Sequence, residues 1–336
     1  MQRTEILSTH TPELFRAAVQ RTAESLRAGE VVALPTETVY GLAANAFDEN
    51  AVAKIFQIKG RPANNPIIVH VADNEMAKRC VRIFPELAEK LSKSFWPGPL
   101  TLVLPRAEKI PDNVTAGGAT VGIRWPSHPF IQAVIRECDF PLAAPSANLS
   151  NSISPTNAEH VRKSLGTKIS LIVDGGQSQV GIESTVLDLT VSPPQILRPG
   201  MIHAESLAAV CGEIQNQKSK TKNPVLRSPG LLQKHYSPKA KLLVLSWRDE
   251  TDLQSQIANR KSQIQNCHVI AHTKIPAGGI FADVSVMPHD AEAFARAIYA
   301  ELHRCDAAGA ELIVVETPPK TSEWSGIADR LRRARG

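Results

Sequence analysis

Apolar residues along the first two thirds of the chain follow two alternating patterns, one with helical spacing and one in short continuous runs. Helical spacing predicts helices over residues 11–28, 49–58, 74–93, 128–137 and 156–165. The short runs predict strands over residues 31–34, 66–71, 100–104, 121–125, 142–144, 169–173 and 184–189. This alternation is typical of an α/β domain in which helices flank a large, twisted mixed sheet.

The pattern changes after about residue 212. Residues 213–239 are polar, basic and rich in proline, and they lack hydrophobic periodicity, as expected of a linker. Buried-type strands then follow at 241–245, 268–271 and 312–315, with helices at 249–264 and 290–307. The sequence therefore predicts a first domain over 1–212, a basic linker or lid over 213–239, and a smaller α/β domain over 240–336.

Composition narrows the class of protein without deciding its function. Of the 336 residues, 43% are hydrophobic and 21% are charged, values that are ordinary for a globular protein. The net charge of +5 is compatible with anionic substrates or an RNA partner. Five scattered cysteines without metal-ligand spacing indicate unpaired thiols in a reducing compartment. Because neither a signal peptide nor a membrane-spanning run is evident, we expect a cytoplasmic protein that makes no membrane contact.

Common nucleotide and nucleophile motifs are missing, but one loop has an unusual composition. Lys59-Gly60-Arg61-Pro62-Ala63-Asn64-Asn65-Pro66 places two cations between an amphipathic segment and an apolar run. Its prolines restrict the backbone, and the lysine and arginine suit a polyphosphate. A solvated basic turn is the alternative interpretation. In either case we expect Lys59 and Arg61 to be accessible to solvent.

Alternation along Thr120-Val121-Gly122-Ile123-Arg124 places Thr120, Gly122 and Arg124 on one face of a strand. An arginine among apolar residues needs an anionic partner, because an unpaired buried charge is costly. That partner is either a structural Asp or Glu or the carboxylate of a ligand, and the sequence leaves both open.

Further polar residues stand at turns where apolar runs begin or end. Each has a structural alternative: the threonines of 35–42 can cap a helix, and a lone histidine such as His70 is usually packed. Together they indicate one convergent polar site. The segments are PTETVYGL (35–42), PSANLS (145–150), Ser154-Pro155-Thr156, GIESTV (181–186) and LRPG (197–200).

Taken in order, these segments resemble the YrdC-like threonylcarbamoyl-AMP synthase family in its long, two-domain form. The resemblance rests on LPTETVYGL (34–42), KGRPANNP (59–66), SFWPGPLTLVL (94–104), GIRWP (122–126), APSANLS (144–150), ESTVLDL (183–189), LRPG (197–200), SPGLLQKHYSP (228–238) and WSGIADRLRRA (324–334). It implies a YrdC-like first domain and a Rossmann-like α/β C-terminal domain.

The resemblance also implies a reaction. L-threonine, bicarbonate or carbon dioxide, and ATP would give threonylcarbamoyl-AMP and pyrophosphate. Mg²⁺ would bind the phosphates, and its ligands need not be protein side chains. The product would serve a downstream threonylcarbamoyl transferase complex that modifies tRNA beside the anticodon, with tRNA itself a possible contact. Such chemistry depends on positioning and charge neutralisation more than on a protein nucleophile.

Site residues carried over from the family fall into three sets. Lys59 and Arg61, the expected catalytic residues, join Ser146 and Asn148 in gripping the ATP phosphates. Further nucleotide contacts are expected from Asn65, Thr120, Ser154, Arg198 and, as a lid, Tyr236. The L-threonine pocket is expected to contain Thr38, His70, Arg124, Ser184 and the backbone of Ala144.

Two other functions compete with this interpretation. The basic pI of about 9.0, the basic linker and a predicted arginine-rich C-terminal helix would suit a non-catalytic protein that binds tRNA or double-stranded RNA. The low aromatic content of 5% argues against a stacking surface for single-stranded RNA. A carbamoyl-adenylate-forming domain of hydrogenase maturation would share the fold, but those domains lie in larger chains with zinc-finger-like cysteine motifs.

Overall fold

The computed structural model describes residues 4–216, 235–258, 266–277 and 279–335. These residues divide into two compact units. The first contains residues 4–150 and 154–216, and the second contains Asn151–Ile153 together with the described residues from 235 onward. Most of the linker assigned to 213–239, together with residues 259–264 of the helix expected at 249–264, lies outside the described residues.

The first unit is built on a large mixed sheet. Its strands are β1 (Glu5–Ser8), β2 (Val32–Leu34), β3 (Gly41–Asn45), β4 (Ile68–His70), β5 (Leu100–Pro105), β6 (Thr120–Arg124), β7 (Leu142–Ala143), β8 (Leu171–Asp174), β9 (Thr185–Asp188), β10 (Gln195–Arg198) and β11 (Gln215–Asn216). Within the described residues the strand order is β1-β8-β2-β3-β7-β4-β6-β5-β9-β10-β11, with parallel and antiparallel neighbours.

Helices cover this sheet and bury its apolar side chains. They are α1 (Pro12–Arg27), α2 (Glu49–Lys59), α3 (Asn74–Cys80), α4 (Glu86–Phe95), α5 (Asp112–Thr115), α6 (Pro129–Cys138), α7 (Ala158–Leu165) and α8 (Ala204–Cys211). Helix α1 begins where the Thr11 hydroxyl accepts a hydrogen bond from the amide of Leu14. It packs on α6 through an edge-to-face contact between Phe15 and Phe130, with ring centroids 5.4 Å apart.

The second unit contains a smaller sheet whose paired strands are all parallel, in the order β12-β15-β13-β14. Its elements are β12 (Lys241–Leu245), α9 (Glu250–Ala258), β13 (Cys267–Ala271), β14 (Asp283–Val286), α10 (Ala291–Ala307), β15 (Leu312–Glu316), a short 3₁₀ helix (Ser322–Trp324) and α11 (Ser325–Ala334). The predicted fold class, a large mixed sheet plus a smaller α/β domain, is confirmed.

One predicted helix is wrong. The single helix expected over 74–93 is two helices, α3 and α4, separated by extended backbone at Val81 and Pro85. Proline cannot continue a helix because its ring clashes with the preceding turn, and it also favours extended backbone in the residue before it. Val81 instead forms an isolated antiparallel bridge with Arg106, which ties the break to the end of β5.

Two glycines position residues of the later site for different reasons. Gly60 ends α2 with left-handed backbone, at φ 58°, and has open space around its Cα. Gly200 follows β10 so closely packed that an added Cβ would lie 2.6 Å from the amide nitrogen of Thr185. Glycine is needed at position 60 for its left-handed backbone, and at position 200 because the backbone of Thr185 lies too close for a side chain.

We expect Gly200→Ala to destabilise the protein more than Gly60→Ala. Alanine at position 60 meets only the strain of the left-handed region, about 1 kcal/mol. At position 200 the backbone is not left-handed, and alanine instead forces the neighbouring backbone apart, at a cost of about 1–3 kcal/mol. Urea denaturation of both variants and the wild type measures their free energies of unfolding. An equal loss of stability in the two variants would contradict the close packing of Gly200 against Thr185.

Candidate active site

Lys59 and Arg61 flank the turn at the end of α2. Lys59 is the last helical residue, and the left-handed Gly60 donates its N–H back to the carbonyl oxygens of Phe56 and Gln57. The helix therefore ends between the two cations. The glycine between them, rather than the prolines further on, sets how the two side chains diverge.

The Lys59 ammonium lies in a cradle of oxygen atoms. Its Nζ donates to the backbone oxygens of Ser146 and Asn148, both at 2.5 Å, and is 3.5 Å from Asn148 Oδ1. The Lys59 carbonyl in turn accepts from the amide of Ser150 at 2.9 Å. Burial and the neighbouring Arg61 charge hold the pKa of Lys59 well below its usual value. The cradle joins the end of α2 to the loop after β7.

Arg61 is held in a similar way. Its Nε donates to the backbone oxygen of Asn65 at 3.0 Å, and its Nη2 donates to that of Pro66 at 2.5 Å. The expectation that Lys59 and Arg61 are solvent-accessible is wrong, since their exposed fractions are 3% and 8%. Carbonyl oxygens of the two loops replace water around both cations.

Arg124 has a carboxylate partner inside the protein. Its Nη2 lies 2.7 Å from Glu37 Oε1, its Nη1 donates to Thr38 Oγ1 at 2.9 Å, and its Nε donates to the Gly98 carbonyl at 3.2 Å. The sequence left a structural carboxylate and a ligand carboxylate open as partners, and the structure supplies the former. Glu37 went unrecognised in this role, although a glutamate among the apolar residues of 34–42 was a signal for it.

His70 stands beside Arg124 because β4 and β6 are parallel neighbours in which these two residues are in register. Burial, together with the Arg124 charge, lowers the pKa of His70 to about 3. The imidazole is therefore neutral at physiological pH. Its Nδ1 is buried and has no hydrogen-bond partner among the described residues. Such a ring can bind a substrate by hydrogen bonding but is not a proton donor near pH 7.

Ser184 and Arg198 form a second group, at the start of β9 and the end of β10. Arg198 donates from Nε to the Ser184 carbonyl and from Nη2 to Ser184 Oγ, both at 3.1 Å. Ser184 Oγ also lies 2.8 Å from Thr101 Oγ1 on β5. Nearby in the sequence, Glu183 Oε1 accepts a hydrogen bond from Ser154 Oγ at 2.6 Å. Thr101 and Glu183 were not among the predicted site residues.

The remaining predicted residues occupy varied positions. The Ala144 amide donates to the Ile68 carbonyl at 3.1 Å. Asn65 is fully buried, and neither of its amide atoms has a partner among the described residues. Thr120 opens β6 and is half-buried. These three therefore lie in or beside the sheet and loops that carry the cations.

Tyr236 belongs to the second unit. Its ring lies 6.0 Å from that of Tyr299 and 5.5 Å from the Arg330 guanidinium carbon, and its backbone is left-handed at φ 63°. Asn151 in the same unit accepts a hydrogen bond from the next amide, that of Ser237. The assignment of Tyr236 to the nucleotide stays a prediction.

The described residues lack both a cluster of metal-ligating side chains and a helix that could span a membrane. They contain no group of three or more histidine, cysteine, aspartate or glutamate side chains that could hold a metal ion. No helix in the described part of the chain has the length and apolar content needed to cross a bilayer. The buried carboxylates Glu37 and Glu183 are engaged by Arg124 and Ser154.

Two family models match the chain in succession. The Sua5/YciO/YrdC model, described as telomere recombination, matches residues 24–200, and the C-terminal domain of threonylcarbamoyl-AMP synthase matches residues 202–336. A threonylcarbamoyl-AMP synthase of Bacillus subtilis is 42% identical over 340 residues, covering 99% of this chain and 96% of the relative. One from Pyrococcus abyssi is 41% identical, covering 93% and 92%.

Solved structures of Sua5 from Pyrococcus abyssi have the same fold. Its complex with L-threonine aligns with a TM-score of 0.90 at 38% identity, covering 99% of this chain and 98% of that one. A variant in which a histidine and the adjacent tyrosine are replaced by alanine aligns with a TM-score of 0.89 at the same identity, covering 99% and 96%.

We expect His70 to make the protein less stable as the pH falls. The pKa of this imidazole drops from its ordinary 6.5 to about 3 on folding, so between these values only the unfolded chain takes up the proton. Stability is therefore fully present above pH 6.5 and falls by about 1.4 kcal/mol per pH unit below it.

Urea denaturation between pH 7 and pH 4 measures this slope. His70→Gln is expected to flatten it, whereas the same change at the exposed His10 is the control and should leave it unchanged. Equal slopes in the wild type and His70→Gln would show that His70 is not buried in its neutral form.

Proposed function

This chain belongs to the family of threonylcarbamoyl-AMP synthases, and we propose that it makes L-threonylcarbamoyl-AMP and pyrophosphate from L-threonine, bicarbonate or carbon dioxide, and ATP. One observation carries this proposal: two buried cationic centres, Lys59 with Arg61 and Arg124 with its partners, lie in the same unit. A reaction between a polyphosphate and an amino acid has one anion for each centre.

The phosphate end of the site is formed by the loops that surround Lys59. We assign Lys59, Arg61, Ser146 and Asn148 to the phosphates of ATP, and Asn65, Thr120, Ser154 and Arg198 to further nucleotide contacts. The oxygen cradle holds Lys59 in place before ATP arrives. A phosphate near its ammonium favours the protonated form, which opposes the burial that lowers the pKa of Lys59.

The amino-acid end is formed by Thr38, His70, Arg124, Ser184 and the backbone of Ala144. Glu37, Thr38 and Gly98 each engage a different nitrogen of the Arg124 guanidinium, so its plane is fixed while N–H groups remain for the substrate carboxylate. The neutral His70 beside it adds a hydrogen bond without adding charge.

The chemistry then needs positioning more than a protein nucleophile. The neutral threonine amine attacks the carbon of bicarbonate, and water leaves as the carbamate forms. A carbamate oxygen next attacks the α-phosphorus, and the bond to pyrophosphate breaks. Lys59 and Arg61 offset the charge that develops on the phosphates, and the fixed Arg124 keeps the carbamate in line for the attack.

Magnesium fits this site as a companion of ATP rather than as a resident ion. No cluster of metal-ligating side chains occurs within the described ranges, and Glu37 and Glu183 already have partners. We propose that Mg²⁺ enters on the ATP phosphates and offsets part of their charge. The product would pass to a threonylcarbamoyl transferase complex that modifies tRNA.

The structure of the C-terminal helix weakens the RNA-binding alternative, because two of its arginines are not exposed. Arg330 and Arg333 on α11 are buried, and both lie within 3.1 Å of the Asp329 carboxylate. These arginines are part of an internal ion cluster and do not form a solvated basic face. Arg332, which also contacts Asp329, is largely exposed.

Pyrophosphate release from ATP in bicarbonate buffer, with and without L-threonine, tests the reaction. We expect release that depends on L-threonine and is weaker with L-serine. ATP binding without pyrophosphate release would contradict the proposed reaction. Salt-dependent RNA binding by such a protein would then support the RNA-binding alternative.

Lys59→Ala is expected to reduce this turnover about 100-fold or more and to lower stability by about 1–3 kcal/mol. The first effect follows from losing a positive charge beside the phosphates, and the second from losing the two hydrogen bonds that the buried ammonium donates to the carbonyls of Ser146 and Asn148. The control is Lys54→Ala in the same helix, which removes a partly exposed ion pair with Glu30. Normal turnover by the purified Lys59→Ala variant would show that Lys59 does not take part in the reaction.

A further inference from the structure

Thr101 is a polar residue on an interior strand of the sheet of the first unit. It lies on β5, between β6 and β9, and its exposed fraction is 0%. Its neighbours along the strand, Leu100, Leu102 and Val103, are apolar and equally buried. A hydroxyl in this position costs free energy unless it is hydrogen-bonded. Its partner is the hydroxyl of Ser184, at 2.8 Å.

The hydrogen-bond inventory decides which hydroxyl donates. Thr101 Oγ1 has no other partner in the described part of the chain, so its proton is satisfied only if it points at Ser184 Oγ. Arg198 Nη2 is a donor in any arrangement, and it also points at Ser184 Oγ. Two donors then occupy both lone pairs of the Ser184 oxygen. Ser184 is left with one function, which is to donate its own proton.

That proton has no acceptor among the described residues, because the contacts of Ser184 Oγ are those with Thr101 and Arg198. A substrate oxygen is the natural acceptor, since Ser184 belongs to the threonine pocket of the proposed function. A serine hydroxyl that rotates freely could accept from an ammonium group or donate to an oxygen. Held by two donors, it can only donate, and the pocket then selects an oxygen at that point.

The methyl group of Thr101 keeps its hydroxyl pointing toward Ser184. A Cβ added at Gly122 would lie 3.2 Å from Thr101 Cγ2, so this methyl packs closely over the glycine of β6. Gly122 and Arg124 are two residues apart on that strand and share a face. Threonine has a stiff χ1 angle, and placing the methyl over Gly122 therefore also places Oγ1.

We propose that Thr101 is a positioning residue that, together with Arg198, makes the Ser184 hydroxyl an obligatory hydrogen-bond donor to an oxygen of the amino-acid substrate. This inference rests on the proposed function for the identity of the substrate. It adds a residue that does not touch the substrate, and it links the nucleotide contact Arg198 to the amino-acid pocket through one shared oxygen atom.

Thr101→Val and Thr101→Ser form a matched pair for testing this role. Valine keeps a methyl over Gly122 and removes the hydroxyl, whereas serine keeps the hydroxyl and removes the methyl. We expect Thr101→Val to raise the KM for L-threonine about threefold to tenfold, the range of one hydrogen bond, with the KM for ATP changed less than about twofold. Thr101→Ser keeps the donor but loses the methyl that orients it, so it should raise the KM for L-threonine clearly less than Thr101→Val does, leave the KM for ATP near that of the wild type and lower the thermal midpoint.

A merely structural role gives a different result, in which both variants lose stability and neither changes the KM for L-threonine. That outcome, or an equal rise of KM in both variants, would overturn the proposal. Calorimetric titration of each variant with L-threonine separates this question from turnover. If wild-type protein binds L-threonine but releases no pyrophosphate, the proposed reaction fails, and the affinities of the two variants still decide the role of Thr101.

Discussion

The candidate site depends on cationic side chains that are shielded from water. Lys59, Arg61 and Arg124 are each almost fully buried, and such charges are stable only where protein oxygens replace the solvent. The oxygens around them come from distant parts of the chain: the loop after β7, the turn after α2, the segment that follows β2 and the turn before β5. Lys59 and Arg124 therefore connect segments that are far apart in the chain, whereas Arg61 fixes the shape of its own loop, and the geometry of the candidate site follows from these contacts.

Such preformed contacts suit a reaction that needs alignment more than covalent catalysis. A cation already held by carbonyl oxygens loses little rotational freedom when a phosphate or carboxylate arrives, so more of the interaction remains for the substrate. The same reasoning extends to the hydroxyls. Thr101, Ser184 and Arg198 orient one another within the sheet, so their directions are set before the substrate binds. The neutral state of His70 completes a site in which charge is confined to a few fixed positions.

Regular elements with strong periodicity were well predicted, and elements that depend on long-range pairing were not. Helices α1 and α2 follow their apolar spacing and end at glycine-containing turns, as their sequences indicate. Strand β3 has the sequence GLAAN, which carries little intrinsic preference for a strand, and it forms because β2 and β7 pair with it on either side. Helices α3 and α4 were merged because apolar spacing alone masks the break at Pro85.

By itself the sequence determined which charged and polar groups the chain contains and where its turns lie. It placed the cations of 59–61, the strand that carries Arg124 and the small polar loop at 145–150, since residue type and local spacing are properties of short segments. Only the tertiary structure decided that Glu37 is the partner of Arg124, that Lys59 is buried under the carbonyls of Ser146 and Asn148, and that Thr101 faces Ser184. These pairs are far apart in the chain. Burial and direction depend on which strands become neighbours, and that is a property of the whole sheet.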